Sequence, residues 1–245
     1  MPVLLFVWPL SRKLSGRFPR RVLHPADDAP LARPAPPLWH GLLIWLGAAA
    51  LAAPIGIVLH EGAHFLTARA FGFEQPALHF ASSGYARSDE FWEALRTRSP
   101  QEAAAVYPVA RAGTVALAGV VVTWLLSLVA GSAAPRVGLR SFGGALLAAF
   151  ALTATTRGLP GVIYLVAVRP RYPDANPNFD EFRASAALGV PVEVLVLGGV
   201  VVTALCWAYL VPKMSPLRWA KVAAVAAGFA GGVLMWMNVG PHLLP

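Results

Sequence analysis

Residues 41–59 read GLLIWLGAAALAAPIGIVL, nineteen positions without a charge, and residues 60–72 continue directly as HEGAHFLTARAFG. As a helix, the first run alone measures about 28 Å, close to the hydrocarbon thickness of a bilayer. The helical pattern carries on through HEGAH to Phe71, and Gly72 supplies a stop. Residues 41–71 together reach about 46 Å, more than one crossing needs. Pro54 and Gly56 would kink such a helix, which packing inside a membrane tolerates. The stretch is therefore a membrane span with three ionisable side chains, His60, Glu61 and His64, built into its far end.

The rest of the chain is of the same kind. Of its 245 residues, 57% are hydrophobic and 13% charged, against about 25% charged in a soluble domain. Further apolar runs at 106–130, 142–168, 191–211 and 217–239 bring the total to about five crossings. The expected fold class is an all-α membrane protein. Ala112, Gly113, Ala116 and Gly119 give the second run small residues suited to close helix contact. The third run is interrupted by Thr153, Thr155, Thr156, Arg157 and a Gly-Leu-Pro-Gly break. Between the first two runs, ALHFASSGYAR at 77–87 alternates around Ser-Ser-Gly and predicts a short membrane-associated β-hairpin or edge strand. Residues 89–102 read as one short surface helix. Residues 1–37 carry Arg12, Lys13, Arg17, Arg20, Arg21 and Arg33 among many prolines. They read as a basic, Pro-rich, extended arm preceding a polytopic domain at 38–245. The apolar start, Met1 to Leu10, is too short to span and lacks the order of a secretory signal.

A net charge of +8 does not indicate nucleic acid, because the basic residues are scattered among hydrophobic segments instead of gathered on one face. They mark membrane orientation. The arm, the 131–141 loop (Arg136, Arg140) and the 212–221 loop (Lys213, Arg218, Lys221) fall on one side if there are five crossings. That side is expected to be cytoplasmic in a bacterial-type cell membrane. The HEGAH end of the first span and the 169–190 connection then share the opposite side, where they can form one composite site. Cys206, the single cysteine, cannot form an internal disulfide.

His60-Glu61-Gly62-Ala63-His64 is an HExxH sequence on a predicted helix. Histidines four apart share a helical face and can reach one ion. Glu61 can polarise a metal-bound water and pass its proton to a leaving amine. Zinc suits the set, with a third protein ligand and an open position still required. A chance match on an amphipathic helix is the plain alternative. Against it, three ionisable residues interrupt a long apolar helix, where each is costly unless used.

HEGAHFLTARAFG resembles the metal motif of the site-2 protease (peptidase M50) family of intramembrane zinc metalloproteases. VALAGVVVTW, at 115–124, is similar to a loose version of that family's AGP-type helix, and 77–87 to its membrane-associated strand region. Together these cover about a third of the chain. The resemblance implies a third ligand, an aspartate in a later Asn/Pro-containing segment, and Asn176-Pro177-Asn178-Phe179-Asp180-Glu181 is the comparable place. By that resemblance Asp180 is the ligand, and Asn176 orients its carboxylate or a substrate backbone. Glu181 stands where the family has glycine, so Glu181 and Asp174 remain alternative ligands, and a solvated acidic turn opening a helix remains a further alternative. Arg157 is a candidate to pair with Asp180 or Glu181 or to stabilise an oxyanion, with an ordinary structural ion pair as the alternative. His79 is a candidate to approach the site from the strand region, or a packing residue.

The function implied is a zinc-dependent intramembrane endopeptidase, with one zinc per chain, acting on a membrane-anchored protein within the lipid bilayer. Two rivals stand beside it. One is an M50-like protein that has lost proteolysis and serves as a membrane scaffold, kept open by the Asp180-Glu181 context. The other is a small metal transporter, which would favour paired charges on several spans.

Overall fold

The structure, a computed structural model, describes residues 38–244 other than residue 98 and residues 173–176, and does not describe the side chain of Arg157. The arm expected at 1–37 lies outside the described residues, as do Asp174 and Asn176.

The first apolar run and the HEGAH stretch form one helix, α1 (Leu38–Ala70), which passes through Pro54 without ending. Gly72 follows in the left-handed region at φ 71°, and Phe73 N–H returns to the Ala68 carbonyl at 3.1 Å. That closes carbonyls the helix end would leave open.

The expected hairpin consists of two strands of two residues each, β1 (Ala77–Leu78) and β2 (Ser83–Gly84). They pair antiparallel, with Ala77 opposite Gly84 and Leu78 opposite Ser83. The surface helix expected over 89–102 is divided into α2 (Ser88–Thr97) and α3 (Pro100–Val106). Pro100 disfavours helical geometry in the residue before it. Ser99 is accordingly extended, and its hydroxyl caps α3 by accepting the Glu102 N–H at 3.1 Å.

Then follow α4 (Val109–Val137), α5 (Phe142–Thr153), α6 (Leu159–Ile163), α7 (Asp180–Leu188), α8 (Val192–Leu210) and α9 (Arg218–Leu243). The third apolar run changes helical pitch twice. A tight 3-10 turn at Ala154–Gly158 joins α5 to α6, and a wide π turn at Tyr164–Val168 follows it. Threonines compete with the helix ladder there: Thr153 Oγ1 donates to the Ala149 carbonyl at 2.7 Å and Thr156 Oγ1 to the Thr153 carbonyl at 2.5 Å. Among the described residues, five helical segments are long and apolar enough to cross a membrane: 38–70, 109–137, 142–168, 192–214 and 218–243. The architecture is that of a multi-pass, predominantly helical membrane protein.

Small residues set the packing. Trp45, Ala48, Ala49 and Ala52 of α1 meet Ala145, Ala148, Ala149 and Leu152 of α5 in the main core. Gly228 and Gly232 of α9 let that helix lie against α1 at backbone distance, since a Cβ at either would fall 3.0 Å from Ala49 Cβ or 2.8 Å from Ala50 Cα. A second core, containing Phe73, Phe91, Ala94 and Ala103, seats the hairpin region, α2 and α3 on Ala68 of α1 and on Ala112 and Val115 of α4. Gly113 of α4 admits α7, for a Cβ there would lie 2.7 Å from Ala187 Cβ. These contacts bring the end of α1, the start of α4 and α7 together.

Candidate metal centre

His60, Glu61 and His64 are buried, with relative exposures of 5%, 6% and 6%. The wall that holds the imidazoles comes from α4. Val115, Gly119 and Thr123 follow one another at intervals of four and so share a helical face. His64 Nδ1 donates to the Val115 carbonyl at 2.6 Å. A carbonyl only accepts, so neutral His64 carries its proton on Nδ1 and presents the Nε2 lone pair on the other side of the ring. His60 Nδ1 lies 2.9 Å from Thr123 Oγ1, which can fix the same tautomer. Between these two anchors, Gly119 leaves a notch that the rings occupy. A Cβ there would lie 2.6 Å from His64 Cε1, 2.9 Å from His60 Nε2 and closer still to His64 Nε2.

Asp180 completes the group from the first position of α7, where the helix dipole favours an acidic side chain. Its Oδ2 lies 2.9 Å from His60 Nε2 and 3.3 Å from His64 Nε2, and the two Nε2 atoms are 3.1 Å apart. Tetrahedral zinc, with bonds of about 2.0–2.1 Å, sets its ligand atoms about 3.3 Å from one another. The triangle therefore has the dimensions of three sites on such an ion. Three acceptor atoms this close repel one another unless a cation or proton lies among them. Among the described residues, His60, His64 and Asp180 form the group whose ligand atoms lie within metal-binding distance. When the imidazoles also carry protons on Nε2, burial still works to raise the Asp180 carboxyl, but hydrogen bonds and charge from His60 and His64 prevail and hold it well below the usual carboxylate range. It is thus ionised at neutral pH, the form in which a carboxylate binds metal.

Glu61 stands beside the triangle, with its Oε2 accepting a hydrogen bond from Ser83 Oγ of β2 at 3.1 Å. The hairpin therefore positions a carboxylate next to the candidate metal. All four side chains line a cavity of about 700 Å³ whose other walls include the hairpin, Trp92 of α2, and Asn178 and Arg183 around the start of α7.

The remaining sequence candidates are placed as follows. Glu181 lines the cavity but lies outside the three-ligand group, with Oε1 towards Gly158. His79 is exposed at the hairpin, on the cavity wall and also outside the group. Arg157 lies in the 3-10 turn at 154–158. Thr123, Ser83 and the Val115 carbonyl were not singled out from sequence. Gly119 was noted for helix packing and as part of the 115–124 stretch, not as a notch for the histidines. The available signal was a threonine and a glycine four apart in an apolar run, facing a helix with two histidines four apart. Burial pushes the Tyr85 phenol in the same cavity up to about 12, so it is a neutral donor across the physiological range.

No family model, no curated protein and no solved structure matches this chain.

Proposed function

We propose that the chain is a zinc-dependent intramembrane endopeptidase of the site-2 protease type, cleaving a membrane-anchored protein. The observation that carries the proposal is the convergence of His60, His64 and Asp180 at 2.9–3.3 Å separations beside a buried Glu61. His60, His64 and Asp180 would hold one zinc ion. When bound, that ion supplies Lewis acidity, polarising a peptide carbonyl and lowering the pKa of a water.

The chain's own groups account for the rest of the reaction. Glu61 takes a proton from the attacking water at a carboxylate oxygen while Ser83 holds Oε2. Water oxygen bonds to the peptide carbon, the carbon–nitrogen bond breaks, and Glu61 returns the proton to the departing nitrogen. Val115 and Thr123 keep both imidazoles in the orientation that ligation needs. The substrate must be locally extended, because an intact helix keeps its carbonyls in hydrogen bonds. The basic loops support placing the arm in the cytoplasm and the metal centre towards the opposite face.

The test compares wild-type protein and Glu61→Gln in proteoliposomes containing zinc and a panel of single-span membrane proteins. Wild type should release soluble fragments. Glu61→Gln should bind zinc equally and cleave at least about a hundredfold more slowly. Equal cleavage by both, with equal membrane accumulation, would refute the assignment. Zinc crossing the bilayer without any cleavage would favour a transporter.

A further inference from the structure

Arg183 is the one guanidinium or ammonium among the described residues lining the cavity. It follows Asp180 by three positions on α7, so the two side chains share a face at about 5–6 Å between Cβ atoms. Two contacts hold it. Its Nε donates to Asn178 Oδ1 at 2.7 Å, and the guanidinium lies over the Trp92 ring at 5.3 Å from the centroid. Neither contact uses the terminal nitrogens. Among the described residues, none of the carboxylates forms an ion pair with Arg183. Asp89 lines the same cavity without doing so.

Tyr85 adds a second group of the same kind. Its hydroxyl is buried, finds no acceptor in the protein because neighbouring Trp92 offers only an N–H donor, and belongs to a side chain that lines this cavity within electrostatic reach of Arg183. The ring is fixed by Phe73, at 4.5 Å between centroids, and by Tyr107, at 5.3 Å. A phenol O–H without an acceptor and a guanidinium edge without an anion have a common solution. A carboxylate accepts from both, and a planar guanidinium binds it through two parallel N–H groups.

We propose that Arg183 and Tyr85 form a carboxylate subsite beside the metal centre, which selects substrates with an acidic side chain or a free C-terminal carboxylate next to the reacting bond. The spacing of Asp180 and Arg183 places that group within about two residues of the reacting carbonyl on an extended peptide. This inference rests on the reading that the cavity takes a peptide, and its test does not require cleavage.

The probes are fluorescein-labelled peptide hydroxamates that anchor on the zinc of the detergent-solubilised full chain, read by fluorescence polarisation. One pair differs as Glu against Gln two residues from the hydroxamate. A second pair differs as C-terminal carboxylate against C-terminal amide, so the pairs separate the two sources. At least one carboxylate probe should bind about tenfold tighter than its neutral partner. Arg183→Gln should abolish the preference, Arg183→Lys should retain part of it, and Tyr85→Phe should reduce it, all with unchanged zinc content. Equal binding within both pairs, no binding by any probe, or a preference surviving in Arg183→Gln would overturn the subsite. A preference found in a protein that cleaves nothing would sink the endopeptidase reading and leave the subsite standing. Cleavage without any preference would do the reverse.

Discussion

The notch at Gly119 offers a way to separate metal binding from folding. In Gly119→Ala, the new methyl would lie 2.6 Å from His64 Cε1, where ordinary contact begins at 3.4 Å. The ring must therefore withdraw by more than about 0.8 Å, since Nε2 lies closer still, in a core that resists such shifts. His64 is pinned on its other side by the 2.6 Å bond to the Val115 carbonyl, so withdrawal spoils either that bond or the direction of the Nε2 lone pair. Overpacking costs about 1–3 kcal/mol. Alanine in place of glycine inside a helix returns about 1 kcal/mol. The net cost is about 0–2 kcal/mol, so the variant should still accumulate in the membrane, with a lowered thermal midpoint. Metal affinity has no such compensation and should fall about 10–100-fold, the usual result of disturbing the support of a ligand. Gly62→Ala is the internal control. A Cβ there meets nothing within 4 Å, so stability should rise by about 1 kcal/mol with affinity unchanged. Both quantities come from zinc titration and thermal unfolding of the purified proteins in one detergent. Wild-type zinc affinity in Gly119→Ala would refute the packing argument.

Thr123→Val keeps the shape of the side chain and removes the partner of His60 Nδ1; zinc affinity should fall about tenfold and return in Thr123→Ser. No change in Thr123→Val would show that the hydroxyl does not orient the ring. Ser83→Ala frees the Oε2 that it holds on Glu61, so kcat should drop by about threefold to tenfold with zinc content and KM unchanged. Tyr85 gives a pH dependence of definite sign. Its folded value, about 12, lies above the ordinary 10.0, so its contribution to stability is intact below 10 and is lost as the pH rises towards 12. The difference in phenolate absorbance between wild type and Tyr85→Phe should therefore appear only near pH 12, and a transition at the ordinary value would contradict the burial argument.

The membrane spans were legible because each is a local property, a long apolar run with recognisable ends. Gly72 closes α1 as its position predicts. The third span announced a disturbance through its threonines and Gly-Leu-Pro-Gly, but not that it would take the form of a 3-10 turn and a π turn. The division between α2 and α3 was available in Ser99-Pro100, a cap and a helix start, and was hidden by reading 89–102 as one polar stretch. His60, Glu61 and His64 stand out because charge inside an apolar helix is costly. The choice among neighbouring acids is different in kind. Asp180 and Glu181 are adjacent, yet successive residues point about 100° apart on a helix. Which of them meets the histidines depends on how α7 seats against Gly113, a contact between segments far apart in the chain. Thr123 and Ser83 were obscure for the same reason, since each acquires its role only through a partner on another element.

The most direct test is the metal content and ligand environment of the purified chain, measured by elemental analysis and X-ray absorption at the zinc edge. The account predicts one zinc per chain bound by two imidazoles and oxygen donors, lost when His60, His64 or Asp180 is replaced by alanine and kept in Glu181→Ala. Metal-free protein after purification with zinc present, or zinc that survives Asp180→Ala unchanged, would contradict it.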